Sequence, residues 1–302
     1  MRVRVRVPAT SANLGPGFDA LGLALALYNE VSASEADGVS VTLPGPSVGG
    51  LPTGSDNLVV RGVRMAYEAA ARTFKGVALA CVNRIPPARG LGSSAAAWVG
   101  GLVAGNALLG GPLSRDALLA LAARAEGHPD NVAAALCGGL TVSCAESDGR
   151  VIAVSVPVPA ALRWVVLVPE LTNATAEARA VLPDAVSRAD AVFNVQRVAL
   201  LLAALQAQRM PALAAALVDR LHQPYRQRLF PWMPAVVDAA RGAGALGCVL
   251  SGAGPSLLAA VNGEPEPVAR AMENALANAG IPGAARAFAV DTEGALVLGD
   301  AR

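Results

Sequence analysis

The stretch IPPARGLGSSAAAW, residues 85–98, decides how the rest of the chain is read. Its glycines at 90 and 92 let the main chain approach a ligand closely. The small-residue run that continues through GLVAGNALLG predicts a helix from about Ser93. A turn of this kind aims free N–H groups and the positive end of a helix at one point, which suits an anion. The hydroxyls of Ser93 and Ser94 add donors, or a magnesium ligand beside a phosphate. An ordinary glycine loop with a serine cap reads the same residues without a ligand, and the stretch alone does not separate the two. A Walker loop is excluded, because no GK[ST] occurs and the only lysine, Lys75, lies upstream. A protein-kinase loop is excluded by the lack of HRD and DFG.

Composition narrows the classes around that loop. The chain has 302 residues, 54% hydrophobic and 16% charged, enough for one large domain or two ordinary ones with well-buried cores. A net charge of +1 argues against a nucleic-acid or membrane electrostatic footprint. Arg2, Arg4 and Arg6 alternate with Val3, Val5 and Val7, so they read as the wet face of a strand. No signal-peptide core stands at the N-terminus, and ALLLAAL at 199–205 is too short to span a membrane. Four scattered cysteines without a CxxC pair read as buried free thiols in a reducing compartment, hence a cytoplasmic protein. Two histidines without ligand spacing exclude a zinc site.

Strands are predicted at 2–7, 28–33, 39–43, 77–83 and 162–169, with a hairpin over 140–156 and a last strand near 286–290. Helices are predicted over 57–73, from 93, over 115–126 behind the cap Ser114, and from 130 to the stop at Gly138-Gly139. Further helices are expected at 174–181, 187–208, 211–220, 234–243 and 265–279. Strands and helices mix without regular βαβ spacing, which predicts an α+β fold in two lobes, 1–160 and 161–302.

Five other segments stand out for their polar residues or glycines. VPATSANLGPGFDALGLAL, residues 7–25, leaves a strand through three glycines, a proline, Asn13 and Asp19. In AEGHPDNVAAALCGGL, residues 125–140, Glu126, His128, Asp130 and Asn131 crowd before a helix. A cap explains one of these four. LSGAGPSLL, residues 250–258, places Ser251, Gly252 and Gly254 in a turn, which a plain turn also explains. TNATAEAR puts Thr175 and Arg179 on one helical face, and HQPYRQRLFP offers Arg226 and Arg228; arginines are more often solvated than functional.

Together these segments resemble the small-molecule kinase superfamily of galactokinase, homoserine kinase, mevalonate kinase and phosphomevalonate kinase (GHMP). Pro86 followed by Gly90-Leu91-Gly92-Ser93-Ser94-Ala95 fits its phosphate-binding signature, and SGAGPS at 251–256 is similar to its third motif. PATSANLGPGFDALGLAL with EGHPDNV resembles the homoserine kinases within it. The likeness runs from Pro8 to Ser256.

The resemblance implies an N-terminal lobe like ribosomal protein S5, a ferredoxin-like C-terminal lobe, and a site between them. It implies transfer of the γ-phosphoryl of ATP to the side-chain hydroxyl of L-homoserine, on the way to threonine. ATP would lie along Pro86, Pro87, Ala88, Arg89, Gly90, Leu91, Gly92, Ser93, Ser94, Ala95 and Ala96, with adenine near Asn57. Magnesium would sit on Ser94 and Glu126. Asp19 would take the ammonium, with Asn13 beside it, and Arg179 and Arg226 the carboxylate. Thr175 and His128 would complete the pocket. A homodimer is left open.

Two departures stand out. The aspartate that mevalonate kinases place seven residues before a Gly-Gly pair falls here on Asn131, which cannot serve as a base. Catalysis without a carboxylate base is therefore expected, with Asn131 orienting the attacking hydroxyl. Gln223 stands where an acidic residue is expected before Pro-Tyr-Arg. The alternatives are a kinase of the same superfamily for another small alcohol, or a non-catalytic nucleotide-binding regulator.

Overall fold

The computed structural model describes residues 1–44 and 50–298. The chain begins with β1 (Arg2–Ala12), β2 (Leu21–Glu35), β3 (Gly38–Thr42), α1 (Leu58–Ala69) and β4 (Gly76–Val82). It continues with α2 (Ser93–Leu108), α3 (Arg115–Glu126), α4 (Asp130–Cys137), β5 (Leu140–Ala145) and β6 (Val151–Val156). The second part holds β7 (Leu162–Pro169), α5 (Thr175–Ala180), α6 (Arg188–Gln206), a 3₁₀ turn at Met210–Ala212, and the short α7 (Leu213–Ala216) and α8 (Gln223–Arg226). It ends with α9 (Met233–Gly242), β8 (Ala245–Leu250), β9 (Leu257–Asn262), α10 (Glu266–Asn278), β10 (Gly283–Phe288) and β11 (Leu296–Leu298).

Two sheets result. The first has the order β11-β1-β2-β4-β3, with β5 on the start of β2 and β6 beyond it. The second is β10-β7-β9-β8, antiparallel throughout. The chain leaves the first sheet after Val156 and enters the second at Leu162. It does not stay there: Leu296–Leu298 return to pair with Arg4–Arg6 of β1. This last strand lies on the first sheet although its sequence falls in the range 161–302, and a three-residue strand carries too little pattern to be foreseen.

The arginine-valine alternation of β1 behaves as its period requires. Val3, Val5 and Val7 are buried, while Arg2 and Arg4 face solvent. From Val7 onward every residue of the strand is buried, so it runs on to Ala12 beyond the alternating segment. β2 starts seven residues before the expected strand, because Leu21–Leu25 is buried on both faces and shows no alternation. Helices α1 to α4 cover the first sheet. β7 is apolar on both faces: Trp164 and Val166 join the core beneath the first sheet, and Val165 and Leu167 join that under α9 and α10. No helix among the described residues is long and apolar enough to cross a membrane. Of the cysteines, Cys81 and Cys248 are buried, and burial pushes their thiols up to about 11 and about 12; Cys144, contrary to expectation, is exposed.

Candidate active site

The loop after β4 and the start of α2 face the second lobe across a cleft. Two glycines fix its shape, both in the left-handed region. A Cβ on Gly90 (φ 75°) would lie 2.2 Å from the Ser251 carbonyl, and one on Gly92 (φ 68°) 1.9 Å from Thr10 Oγ1. The loop is thus pressed between β1 and the turn joining β8 to β9. Ser251 donates to the Gly90 carbonyl at 2.7 Å and lies 2.8 Å from Ser11 Oγ, so this member of the third motif is a tie between segments, buried behind the cleft. Gly252 and Gly254 do reach the cleft wall. Gly92 caps α2 without a side-chain bond, and the first turn of α2 carries no acidic residue of its own to offset its positive end.

Ala88 to Ser94 line the cleft continuously. Ala95 and Ala96 are buried in the core, and Pro86 lines neither this cleft nor its neighbour. That neighbour shares Ala88, Ser93 and Ser94 and holds Pro87, Leu58 and Asn57. Asn57 is committed to the fold, however. Its Oδ1 accepts from the Val59 N–H at 2.9 Å as the cap of α1, and its Nδ2 donates to the Pro52 carbonyl at 2.7 Å.

Opposite the start of α2, α3 ends in Glu126, whose carboxylate accepts from Ser94 Oγ at 2.6 Å. Burial raises its pKa, which the Ser94 hydrogen bond and His128 only partly offset. A hydroxyl and a half-buried carboxylate form a hard oxygen pair at the helix start, and they fit a magnesium ion beside phosphate oxygens. At the N-terminus of α4, His128 Nδ1 lies 2.6 Å from Asp130 Oδ1, which also accepts from the Asn131 N–H at 2.7 Å. Burial opposes the charge on His128, but Asp130 and then Glu126 outweigh it and raise its pKa. The ligand atoms of Asp19, His128 and Asp130 lie within 4.8 Å of one another.

Asp19 and Arg179 form a bidentate pair, at 2.8 and 3.1 Å, across the cleft. Asn13, in contrast, is spent on the loop: its Oδ1 accepts from the Asp19 N–H at 3.1 Å and its Nδ2 donates to the Gly252 carbonyl at 3.0 Å. It shapes the pocket by holding Asp19 in place. Arg226 is buried, with no carboxylate at ion-pair distance among the described residues. It donates to the carbonyls of Ala178 and Gly252 and to His222 Nδ1, and burial pulls its pKa down to about 10, with Arg179 adding to the effect. A buried guanidinium without a counter-ion is costly unless an anion arrives. Thr175 opens α5 on the same wall. Gln223 donates nothing to the cleft; its Oε1 accepts from the Leu250 N–H at 2.7 Å, a bond that a carboxylate would make equally.

Several residues of the site went unforeseen. Asn173 lines the cleft and takes its N–H to the Ala88 carbonyl. His222, wholly buried, lies 2.8 Å from the Gly15 carbonyl through Nε2, which must therefore carry the proton, and burial holds the ring neutral. Asn194 donates to the Pro16 carbonyl and to Asp219. These pin the 13–20 loop to the second lobe. Asn173 and His222 stand inside the motifs TNATAEAR and HQPYR, which were the only signal available.

Comparison with known proteins agrees with this geometry. The pattern for the GHMP kinases N terminal domain matches residues 57–139, and that for the GHMP kinases C terminal matches 201–279. A homoserine kinase of Desulfitobacterium hafniense is 45% identical over 98% of this chain and 100% of its own. One of Moorella thermoacetica is 45% identical over 97% and 99%. The crystal structure of homoserine kinase from Cytophaga hutchinsonii superposes with a TM-score of 0.89 at 31% identity, covering 98% of this chain and 97% of that one. The chain belongs to the homoserine kinase family of the GHMP kinases.

Proposed function

We propose that the protein phosphorylates the side-chain hydroxyl of L-homoserine with ATP, giving O-phospho-L-homoserine. The observation that carries this reading is the facing of two complementary walls across one cleft. One wall is the glycine loop and bare start of α2, built for a polyphosphate. The other presents the counter-ion-free Arg226 beside the Asp19–Arg179 pair, built for a small zwitterion.

In the bound state Arg226 and Arg179 hold the carboxylate and Asp19 the ammonium, with His128 and Thr175 closing the pocket. The acceptor oxygen attacks the γ-phosphorus, the bond to the β–γ bridging oxygen breaks, and the hydroxyl proton leaves late, onto an oxygen of the transferred group. No carboxylate base is needed in such a loose transition state. Asn131 orients the hydroxyl, and the amides of the loop stabilise charge on the phosphoryl oxygens. Ser94 and Glu126 would hold a magnesium ion, which would supply charge neutralisation of the phosphates. Adenine occupies the neighbouring cleft near Leu58 and Pro87. The protein acts on a free small molecule, with neither nucleic acid nor membrane as partner, and in the cytoplasm.

The test is ATP turnover with magnesium and L-homoserine, mevalonate, shikimate, galactose or no acceptor. Turnover with L-homoserine alone is expected. Turnover with a different alcohol would keep the fold and sink the roles of Asp19, Arg179 and Arg226. Nucleotide binding without turnover would favour the regulator.

A further inference from the structure

Asn131 can orient an acceptor only if its amide presents a defined end to the cleft. A terminal amide can turn over with little change in shape, exchanging a donor for an acceptor. Two neighbours remove that freedom. Thr10, wholly buried in β1, donates its hydroxyl to Asn131 Oδ1 at 2.7 Å. Asp130 places Oδ1 3.4 Å from Asn131 Nδ2. Turning the amide over would set its oxygen against the Asp130 carboxylate, so both contacts select the same orientation.

The contact also depends on the phosphate loop. A Cβ on Gly92 would sit 1.9 Å from Thr10 Oγ1 and 3.2 Å from Asn131 Oδ1. Thr10 further takes its own N–H to the Leu91 carbonyl at 3.1 Å. The threonine is therefore fixed by the phosphate loop on one side and fixes Asn131 on the other.

We propose that Thr10 is a positioning residue for phosphoryl transfer: its hydroxyl anchors the Asn131 oxygen beneath Gly92, so that Asn131 meets the acceptor hydroxyl and the transferred group through its NH2 end. Thr10 exchanges no proton and touches neither reactant. The inference rests on the kinase reading of the site.

The experiment measures kcat and both KM values with ATP, magnesium and L-homoserine for the unsubstituted protein, Thr10→Val, Thr10→Ser, Asn131→Ala, Asn131→Asp and the double variant Thr10→Val/Asn131→Ala. Thr10→Val is expected to lower kcat ~10-fold or more with both KM values within ~3-fold, because a displaced group costs rate before binding. Thr10→Ser, which keeps the hydroxyl, stays within ~3-fold of the unsubstituted protein, and Thr10→Val adds no loss in the Asn131→Ala background. Asn131→Asp keeps an acceptor for Thr10 but lacks the NH2 donor, so its kcat falls ~10²-fold. Equal losses from Thr10→Val in both backgrounds, normal kcat for Thr10→Val, or normal kcat for Asn131→Asp would each overturn the proposal and leave the kinase reading standing. Should Thr10→Val not fold, Asn131→Asp still decides. No turnover by the unsubstituted protein overturns both.

Discussion

Arg179 grips both carboxylate oxygens of Asp19, at 2.8 and 3.1 Å, and so joins the loop after β1 to α5 on the far side of the cleft. The two groups assigned to opposite ends of a zwitterion satisfy each other when it is absent. Under the proposed function an amino acid would replace this pair charge for charge, its ammonium taking over Asp19 and its carboxylate Arg179. An acceptor with one charge or none leaves half of the pair unmatched, a physical basis for selectivity.

Asp19→Asn should separate binding from stability. Both side chains are more than a third exposed, 39% for Arg179 and 36% for Asp19, so the pair contributes only about 0–1 kcal/mol to the fold. Thermal unfolding should barely move. The KM for L-homoserine should rise ~10²-fold, since a charged hydrogen bond to the ammonium is lost. Steady-state kinetics and a melting curve on the same preparation check both halves.

Glu126→Gln should stabilise the empty protein while disabling it. Burial raises the Glu126 pKa, so its charged form is the one the fold tolerates poorly. A folded pKa above the unfolded one means that stability from this group is present at low pH and lost as pH rises through the folded value. Glutamine removes that loss and keeps an acceptor for Ser94. The gain, about 1 kcal/mol or roughly 2–4 °C in Tm, should appear at neutral pH and vanish near pH 4. kcat should fall ~10²-fold or more if Glu126 holds magnesium, and magnesium titration of nucleotide binding should show the same deficit. An unchanged nucleotide affinity at every magnesium concentration would remove Glu126 from the metal site.

His128 makes a second pH-dependent contribution, which also fades as pH rises. Its pKa is raised above the ordinary 6.5 by Asp130 and Glu126 in spite of burial. The stabilisation from the protonated ring is therefore complete below about 6.5 and fades as pH rises through the raised value. His128→Asn should lower Tm at pH 6 and lower it less at pH 9, which melting curves across that range test directly.

Much of this molecule was legible before any coordinates. Local signals did the work where one segment explains itself: Ser114 caps α3 by accepting from the Ala117 N–H, and the residues 162–169 form β7 without change. Signals failed where the meaning of a residue depends on a distant partner. The resemblance sets Asn13 beside the substrate, and what the sequence does not show is that its amide also ties Asp19 to Gly252, 239 residues away from Asn13 in sequence. Asn57, set near adenine by the resemblance, lines the neighbouring cleft and also caps α1. Thr10, His222 and Asn194 drew no attention, since a buried threonine, histidine or asparagine leaves no periodic trace. Polar side chains inside a fold are committed by long-range pairing, and composition with spacing cannot show how many donors and acceptors remain free.

Asp130 and Asn131 stand side by side at the start of α4, and their division of labour is the sharpest test of the mechanism. Asp130 is buried, and its Oδ1 already accepts from the His128 ring and from the Asn131 N–H. Those bonds make it an organiser of the pocket, placing His128 and the start of α4. Asn131 reaches the cleft with its oxygen bound to Thr10 and cannot take a proton. Asp130→Asn keeps the shape and an acceptor, so its effect should fall mainly on the homoserine KM, with kcat down ~10-fold. Asn131→Ala removes the donor aimed at the transferred group, so kcat should fall ~10²–10³-fold. The reverse order, with Asp130→Asn losing ~10³-fold or more in kcat and Asn131→Ala losing little, would restore a carboxylate base of ordinary strength. Because the two substitutions sit one residue apart on the same short helix, any loss of folding should show in both melting curves, which leaves the kcat difference to report the chemistry.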